Sequence, residues 1–297
     1  MKGHAPGLVH ALMWRTKTFR LLRALALVYL VVVMLVASFQ SSLIYHPFHA
    51  SEETLIEEAR TLRLEPWRDA AGAIIGWRSP IRSGIRAENR LLVFHGNAGY
   101  ALHRLQYVGG FEQVNGGRTW EVYLFEYPGY GARPGEVGEK PFIEAGMAAV
   151  EALLQEDPRP VYLLGESLGS GPACAIASRA PKRISGLFLV TPFAALTDVA
   201  AHHYPFLPVR MILRDRWENA VALREYKGPV AVRVAALDEI VTLDQGQKLY
   251  EAYAGPKRLW TEAGAQHNAI DFGLSGPWWG ESSEFVLGVA REQRGGK

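Results

Sequence analysis

The chain has 297 residues, of which 48% are hydrophobic, with 32 Lys and Arg against 30 Asp and Glu. This length suffices for one large α/β domain or two small ones, and the apolar fraction is ordinary for a globular protein. Charge is nearly balanced and no basic stripe interleaved with aromatic residues runs through the body of the chain, which excludes nucleic acid as a partner. Cys174 is the only cysteine, so no intrachain disulfide can form, and we interpret it as a small apolar core residue.

The first 45 residues differ in kind from the rest. No Asp, Glu, Lys or Arg occurs between Ala24 and Tyr45, and the first acidic residue is Glu52. Basic residues precede this stretch at Lys2, Arg15, Lys17, Arg20 and Arg23. About 20 apolar residues cross the hydrocarbon core of a bilayer as a helix, and flanking cations mark the cytoplasmic side. Residues 1–45 are therefore predicted to form a basic cytoplasmic N-terminus and a transmembrane anchor, with the remainder of the chain extracytoplasmic and the lipid bilayer as a partner.

Other interpretations of the apolar segments stay open. A cleaved signal peptide has a shorter apolar region and a small-residue cleavage site, for which Val36-Ala37-Ser38 is a weak candidate. A buried helix of the soluble domain is disfavoured because nothing amphipathic interrupts the run. Near the other end of the chain, Trp278 and Trp279 fit either a membrane interface or the packing of the last helix, and we favour packing.

The remaining chain is predicted to be a connector followed by one α/β domain. Residues 46–72, rich in glutamate, are typical of a solvated helical connector. From residue 73 to 297, short β-rich runs alternate with longer helix-like ones, which indicates a mostly parallel central sheet flanked by helices, with a short cap at about 192–228. Strands are predicted at 73–77, 90–94, 121–125, 161–164, 186–190, 230–235 and 258–261. The clearest helices are predicted at 140–155, 167–180 and 242–254.

The most informative motif is Gly165-Glu166-Ser167-Leu168-Gly169. It follows the apolar run Val161–Leu164 and precedes a run of small residues that can form a helix. Glycine on either side lets a strand and a helix pass closely, and the serine between them is held exposed at the tip of the turn. An ordinary glycine turn is the alternative, but the flanking strand and helix favour a nucleophile elbow with Ser167 as the nucleophile.

A serine nucleophile needs a histidine base that is oriented by a carboxylate. In open α/β sheets, ligands bind beyond the carboxyl ends of the strands, and in this arrangement the acid and then the histidine follow the serine along the chain. Asp238 follows the strand at 230–235 and His267 follows the last strand. We therefore predict Asp238 and His267 as the partners of Ser167.

Each partner has a rival. Asp238 can instead cap the helix that begins near Thr242, in which case Glu239 or Asp244 supplies the acid. The remaining rivals of the base, His202 and His203, lie between two strands rather than after the last one, so they are weaker candidates than His267.

Acyl transfer also requires donors for the negative charge that develops on the carbonyl oxygen, each worth about 3 kcal/mol. One donor comes from the amide of the residue after the nucleophile, here Leu168. The Gly-rich loop after Phe94 lies where the second donor is expected, and we choose the amide of Asn97. His95, at the start of this loop, is predicted to shape the turn rather than to transfer protons.

With these motifs placed, the chain resembles the α/β-hydrolase superfamily, and within it the membrane-anchored serine hydrolases grouped as BEM46-like. The resemblance extends from about Leu43 to the C-terminus. It rests on Phe94–Gly99, Tyr127–Gly131, Gly165–Gly169, Asp238–Val241, His267-Asn268 and a short cap at Tyr204–Arg210. Glu126 stands where an aspartate is usual, and Ala265-Gln266 replaces the common glycine before the histidine. The resemblance implies a serine hydrolase with an N-terminal anchor, and it adds little on the substrate.

These residues predict a carboxylesterase that acts through an acyl-enzyme. A short cap favours esters of small or medium acyl chains as the substrate, whether soluble or derived from the adjacent bilayer. A serine peptidase or thioesterase uses the same triad and stays open, as does a non-catalytic membrane-tethered interaction module. No cofactor is implied, and dispersed histidines with one cysteine give no metal-ligand spacing.

Overall fold

The computed structural model describes residues 7–80 and 86–295, with side chains from residue 17 onward. Lys2 of the predicted cytoplasmic N-terminus lies outside the described residues. The helices are α1 Gly7–Ile44, α2 Glu52–Thr61, α3 Leu105–Glu112, α4 Glu139–Glu156, α5 Ser170–Arg179, α6 Leu196–His203, α7 Val209–Ile212, α8 Asn219–Ala222, α9 Leu243–Ala252 and α10 Trp278–Gly295. The strands are β1 His46–Pro47, β2 Glu65–Arg68, β3 Ile74–Arg78, β4 Asn89–Phe94, β5 Ala98–Gly99, β6 Trp120–Phe125, β7 Val161–Glu166, β8 Ile184–Val190, β9 Val230–Ala235 and β10 Lys257–Glu262.

The described residues form an eight-stranded sheet in the order β10-β9-β8-β7-β4-β6-β3-β2. Every pairing from β10 to β6 is parallel, and β3 runs antiparallel to both of its neighbours. The predicted mostly parallel sheet is therefore confirmed, and each predicted strand is present with ends that differ by a residue or two. The predicted helix at 167–180 begins as a 3₁₀ turn at Ser167–Gly169 before α5.

The core lies on both faces of this sheet. Along β4, Leu92 and Phe94 pack on one face, whereas Leu91 and Val93 pack on the other. Because successive side chains of a strand point to opposite faces, a strand covered by helices on both sides must be apolar throughout. This explains why the central strands are continuous apolar runs in the sequence.

Residues 46–72, predicted as a solvated helical connector, are only partly solvated and only partly helical. Its helix α2 is capped by Ser51, whose hydroxyl accepts from the amide of Thr54 at 3.2 Å. Leu55 and Ala59 on α2 are buried, however, and residues 65–68 form the edge strand β2. The correction follows from antiparallel pairing with β3 across the turn at residues 69–73, which a glutamate-rich composition does not indicate.

At the two ends of the chain, apolar residues have different surroundings. Within residues 17–44 of α1, the most apolar 18-residue stretch has a mean hydropathy of 2.5 and is not buried by the described residues, so this helix is long and apolar enough to cross a membrane. Trp278 and Trp279 are 3% and 1% exposed and pack edge-on against Phe111. The packing interpretation of this tryptophan pair is confirmed.

Candidate active site

Ser167 lies at the sharp turn between β7 and α5. Its φ is 51°, a left-handed conformation that is strained for a residue with a side chain. The two glycines of the motif are required by close contacts, because a Cβ on Gly169 would lie 2.0 Å from the carbonyl oxygen of Phe94 and one on Gly165 would lie 2.5 Å from that of Gly169. The turn therefore raises Ser167 above the carboxyl end of the sheet, as the motif predicts.

The structure brings the predicted acid and base to this serine. His267 Nε2 lies 3.0 Å from Ser167 Oγ, and His267 Nδ1 lies 2.7 Å from Asp238 Oδ2. With Nδ1–H donating to the carboxylate, Nε2 is left to accept the serine proton. The side chains of Asp238 and His267 are only 2% and 8% exposed, so this hydrogen-bonded chain is shielded from water.

The second oxygen of Asp238 is held by the backbone. Its Oδ1 accepts from the amides of Ile240 at 2.9 Å and Val241 at 2.7 Å. These two bonds set the carboxylate plane, so that Oδ2 points at the imidazole. These bonds form a turn ahead of α9, whose N-cap is Thr242, so Asp238 does not take the helix-capping role that competed with the acid role, and its two oxygens serve different partners.

The rival residues are placed differently. Glu239 accepts from the backbone amide of His267 at 3.3 Å rather than from its ring, and Asp244 binds the hydroxyl of Thr242 at the start of α9. His203 Nε2 lies 2.8 Å from the carbonyl oxygen of Ile240, and the ring of His202 packs edge-on against that of His203. These described contacts therefore do not include the ring of His267 or the hydroxyl of Ser167.

Asn97 and Leu168, the predicted oxyanion donors, both line the cleft above Ser167. The loop after β4 approaches the nucleophile closely, since a Cβ on Gly96 would lie 3.7 Å from the Cβ of Ser167. Asn97 helps to hold this loop in place, because its carbonyl accepts from Tyr130 Oη at 2.7 Å and its side-chain Nδ2 donates to the carbonyl of Ile44 at 3.0 Å.

His95, which precedes this loop, is buried and lies among polar partners. Its Nε2 lies 3.4 Å from Glu126 Oε1, and its Nδ1 lies 2.7 Å from the carbonyl oxygen of Gly96. Glu126 in turn accepts from the amide of Ala101 at 3.2 Å. These contacts support the predicted role of His95 in shaping the turn.

Sequence reasoning missed an ion pair beside the nucleophile. Arg104 Nε donates to Glu166 Oε1 at 2.9 Å, with the two side chains 16% and 17% exposed. Arg104 also donates from Nη2 to the carbonyl of Ala98 at 3.3 Å, so it connects the turn at Ser167 to the loop after β4. Glu166 occupies the variable position of the motif, and nothing in the sequence pairs it with a residue 62 positions away.

The cleft over Ser167 has a volume of about 310 Å³ and mostly apolar walls. Part of its wall comes from Leu43 and Ile44 at the end of α1, and part from Tyr204 and Leu213 of the cap. A larger groove of about 430 Å³ near Glu112 and Trp120 is lined by neither Ser167 nor His267. Because both residues line the smaller cleft, the smaller cleft is the candidate site.

Other reactive groups do not compete with this site. Cys174 is fully buried on α5, and burial raises the pKa of its thiol, which disfavours the nucleophilic thiolate. Within residues 17–80 and 86–295, no group of three or more His, Cys, Asp or Glu side chains is placed to hold a metal ion.

Comparison with known proteins agrees with this architecture. A family model described as the alpha/beta hydrolase fold matches residues 89–225. An uncharacterized protein of Mycobacterium tuberculosis is 32% identical over 269 residues, which are 85% of this chain and 90% of that protein. Protein bem46 of Schizosaccharomyces pombe is 26% identical over 174 residues, 57% of each chain. A solved structure of a Pyrococcus furiosus esterase matches with a TM-score of 0.61 at 18% identity, covering 83% of this chain and 97% of the esterase.

Proposed function

The chain belongs to the α/β-hydrolase superfamily, among its BEM46-like members, and we propose that it is a membrane-anchored serine hydrolase that cleaves carboxylic esters of small or medium acyl chains. The observation that carries this proposal is the hydrogen-bonded chain from Ser167 through His267 to Asp238, with links of 3.0 Å and 2.7 Å. A serine, an imidazole and a shielded carboxylate in this order are the parts that nucleophilic acyl transfer requires.

In the proposed mechanism, Ser167 Oγ attacks the ester carbonyl while His267 Nε2 takes the hydroxyl proton. The amides of Asn97 and Leu168 bind the oxyanion, and Asp238 stabilises the imidazolium that forms. His267 then protonates the departing alcohol, which leaves an acyl group on Ser167. A water molecule attacks this acyl-enzyme as His267 takes its proton, and the carboxylic acid is released when that proton returns to Ser167.

The cleft supports the choice of acyl chain. Its volume of about 310 Å³ lies at the lower end of the range for small-molecule sites, about 300–1,000 Å³. Apolar side chains such as Phe193 and Val199 line it beside the serine. A short apolar acyl chain fits this space, whereas the three chains of a triglyceride do not.

The proposal includes the anchor. Residues 17–44 of α1 extend for about 42 Å at the helical rise, more than the roughly 30 Å of a hydrocarbon core. The cations that precede Ala24 support a cytoplasmic N-terminus and an extracytoplasmic catalytic domain. Resistance of the full-length protein to carbonate extraction tests the anchor, and release as a soluble, N-terminally trimmed product would contradict it.

Fluorophosphonate labelling tests the chemistry directly. We expect the wild-type protein to be labelled, Ser167→Ala to abolish both labelling and hydrolysis of p-nitrophenyl esters, and Ser178→Ala, on the following helix, to leave both intact. Esters of rising chain length, with a thioester and a peptide for comparison, then rank the leaving groups. A wild-type protein that is folded yet unlabelled would instead support a non-catalytic module.

A further inference from the structure

The cap carries large apolar side chains that the rest of the protein does not cover. Phe206 is 87% exposed and Met211 is 86% exposed. They belong to the segment Tyr204–Leu213, in which Arg210 is the only charged residue, and Arg210 is paired with Asp198 at 2.7 Å. Full exposure of large apolar residues in one short segment marks a surface that contacts something other than water.

This cap segment lies alongside α1. Tyr29 Oη donates to the carbonyl of Phe206 at 2.9 Å. Gln40 Nε2 donates to the carbonyl of Ile212 at 3.1 Å, and Gln40 Oε1 accepts from the amide of Arg214 at 2.7 Å. Tyr29 and Gln40 are separated by about 16 Å along the helix, so the cap follows the apolar stretch of α1 instead of meeting only its end.

The polar groups that make these contacts need them most in hydrocarbon. Between Ala24 and Ala37, Tyr29 is the only residue whose side chain can donate a hydrogen bond. Inside a bilayer no water can satisfy such a hydroxyl, nor the free carbonyls of an irregular segment. Pairing the hydroxyl of Tyr29 with the carbonyl of Phe206 satisfies both, whereas in water each would find a solvent partner at little cost.

We propose that the segment Tyr204–Leu213 is inserted in the bilayer beside α1 and that the cleft over Ser167 opens toward lipid. This inference rests on the proposed membrane anchor. The occupant of this surface is therefore the same membrane that α1 crosses. Leu43 and Ile44 from α1 and Tyr204 and Leu213 from the cap all line the cleft, which gives an apolar route from the lipid to the nucleophile. The substrate class is then an acyl ester dissolved in the bilayer, with a single chain that enters along this route.

Accessibility of the cap tests the insertion. The full-length protein carries a nitroxide at Met211→Cys and is reconstituted in phosphatidylcholine vesicles, with Leu274→Cys, an exposed apolar site before α10, as the matched control. Cys174 is fully buried and is not labelled. We expect residue 211 to collide with oxygen and to be protected from a water-soluble nickel chelate, and residue 274 to show the reverse. Equal access of the chelate to both sites would overturn the insertion.

Carbonate extraction of the same samples separates the two proposals. Protein that resists extraction but exposes residue 211 to the chelate keeps its anchor and refutes the inserted cap. If carbonate releases the protein, both the anchor and the inserted cap are refuted. Fluorophosphonate labelling of Ser167 still tests the proposed hydrolase activity in that case.

Activity on two substrates gives an independent test. We expect Phe206→Ser with Met211→Ser to lower hydrolysis of a medium-chain p-nitrophenyl ester embedded in vesicles by about tenfold or more, because each apolar side chain favours hydrocarbon by more than that factor. Hydrolysis of p-nitrophenyl acetate in water should be unchanged, and Leu274→Ser should change neither rate. Loss of both activities in the double variant, or of neither, would overturn the proposal.

Discussion

At the scale of single residues, the candidate site depends on how Asp238 divides its two oxygens. Oδ1 is held by two backbone amides and Oδ2 meets His267. A carboxylate fixed in this way orients the imidazole and keeps its proton on Nδ1, so that the unprotonated Nε2 faces Ser167. The neighbouring acids Glu239 and Asp244 have other partners, so substitution separates the three.

We expect Asp238→Asn to lower kcat for p-nitrophenyl acetate by about 10⁴-fold, because an amide that donates to Nδ1 leaves the proton on Nε2, where it cannot take the proton of Ser167. The amide oxygen can still accept from the two backbone amides, so thermal unfolding should change little. Glu239→Gln and Asp244→Asn serve as controls and should retain most of the activity. A large loss in either control, with Asp238→Asn active, would move the acid role to that residue.

At the scale of elements, the end of α1 and the loop after β4 form one unit. The short strand β1 pairs in parallel with β5, which follows Asn97, and the carbonyl of Ile44 accepts from the side chain of Asn97. Tyr45 is 2% exposed and donates to Asp215 Oδ2 at 2.7 Å. The residues just after the apolar stretch therefore contribute to the folded catalytic domain.

Two truncations test this unit. Deletion of residues 1–37 keeps Ile44, Tyr45 and β1, and we expect activity on p-nitrophenyl acetate to persist. Deletion of residues 1–49 removes them; loss of buried Tyr45 alone should lower the free energy of unfolding by about 3 kcal/mol. Displacement of the loop after β4, which carries the proposed oxyanion donor Asn97, should also lower kcat by about 100-fold. Equal kcat and equal unfolding temperatures for the two proteins would contradict a role for this segment.

At the scale of the whole molecule, an ion-pair network joins distant parts of the chain at the end of the sheet opposite the site. The side chain of Arg90 is fully buried and lies 3.5 Å from Asp157, and Arg159 bridges Asp157 and Glu121 at 2.8 Å and 2.7 Å. Burial acts to raise the pKa of Asp157, but hydrogen bonds from Arg159 and the charge of Arg90 outweigh it and hold this pKa at about 2.

The sign of the resulting pH dependence follows from this lowered pKa. The unfolded chain has an aspartate pKa of 3.8, so the network stabilises the fold fully above that pH, and its contribution is lost as the pH falls toward 2. We expect Asp157→Asn to lower the free energy of unfolding by about 2 kcal/mol at pH 7, with a smaller difference from the wild type at pH 3. Chemical unfolding at both pH values measures this, with exposed Glu144→Gln as the control. A pH-independent difference would refute the linkage.

The sequence alone determined the local features of this protein: a charge-free apolar stretch of anchor length, the strands of a two-faced sheet, and Ser167, Asp238 and His267 after three of those strands. These features could be predicted because strand period, glycine turns and strand-end positions are properties of neighbouring residues, and parallel strands end at a common edge. Only the tertiary structure decided that β2 joins the sheet, that Arg104 pairs with Glu166, and that the cap lies along α1 through Tyr29 and Gln40. The Arg104 and cap contacts join residues far apart in the chain, and no local pattern specifies which distant partner a side chain will meet. Strand β2 pairs with β3 across a short turn, but the glutamate-rich composition around it does not mark it as a strand.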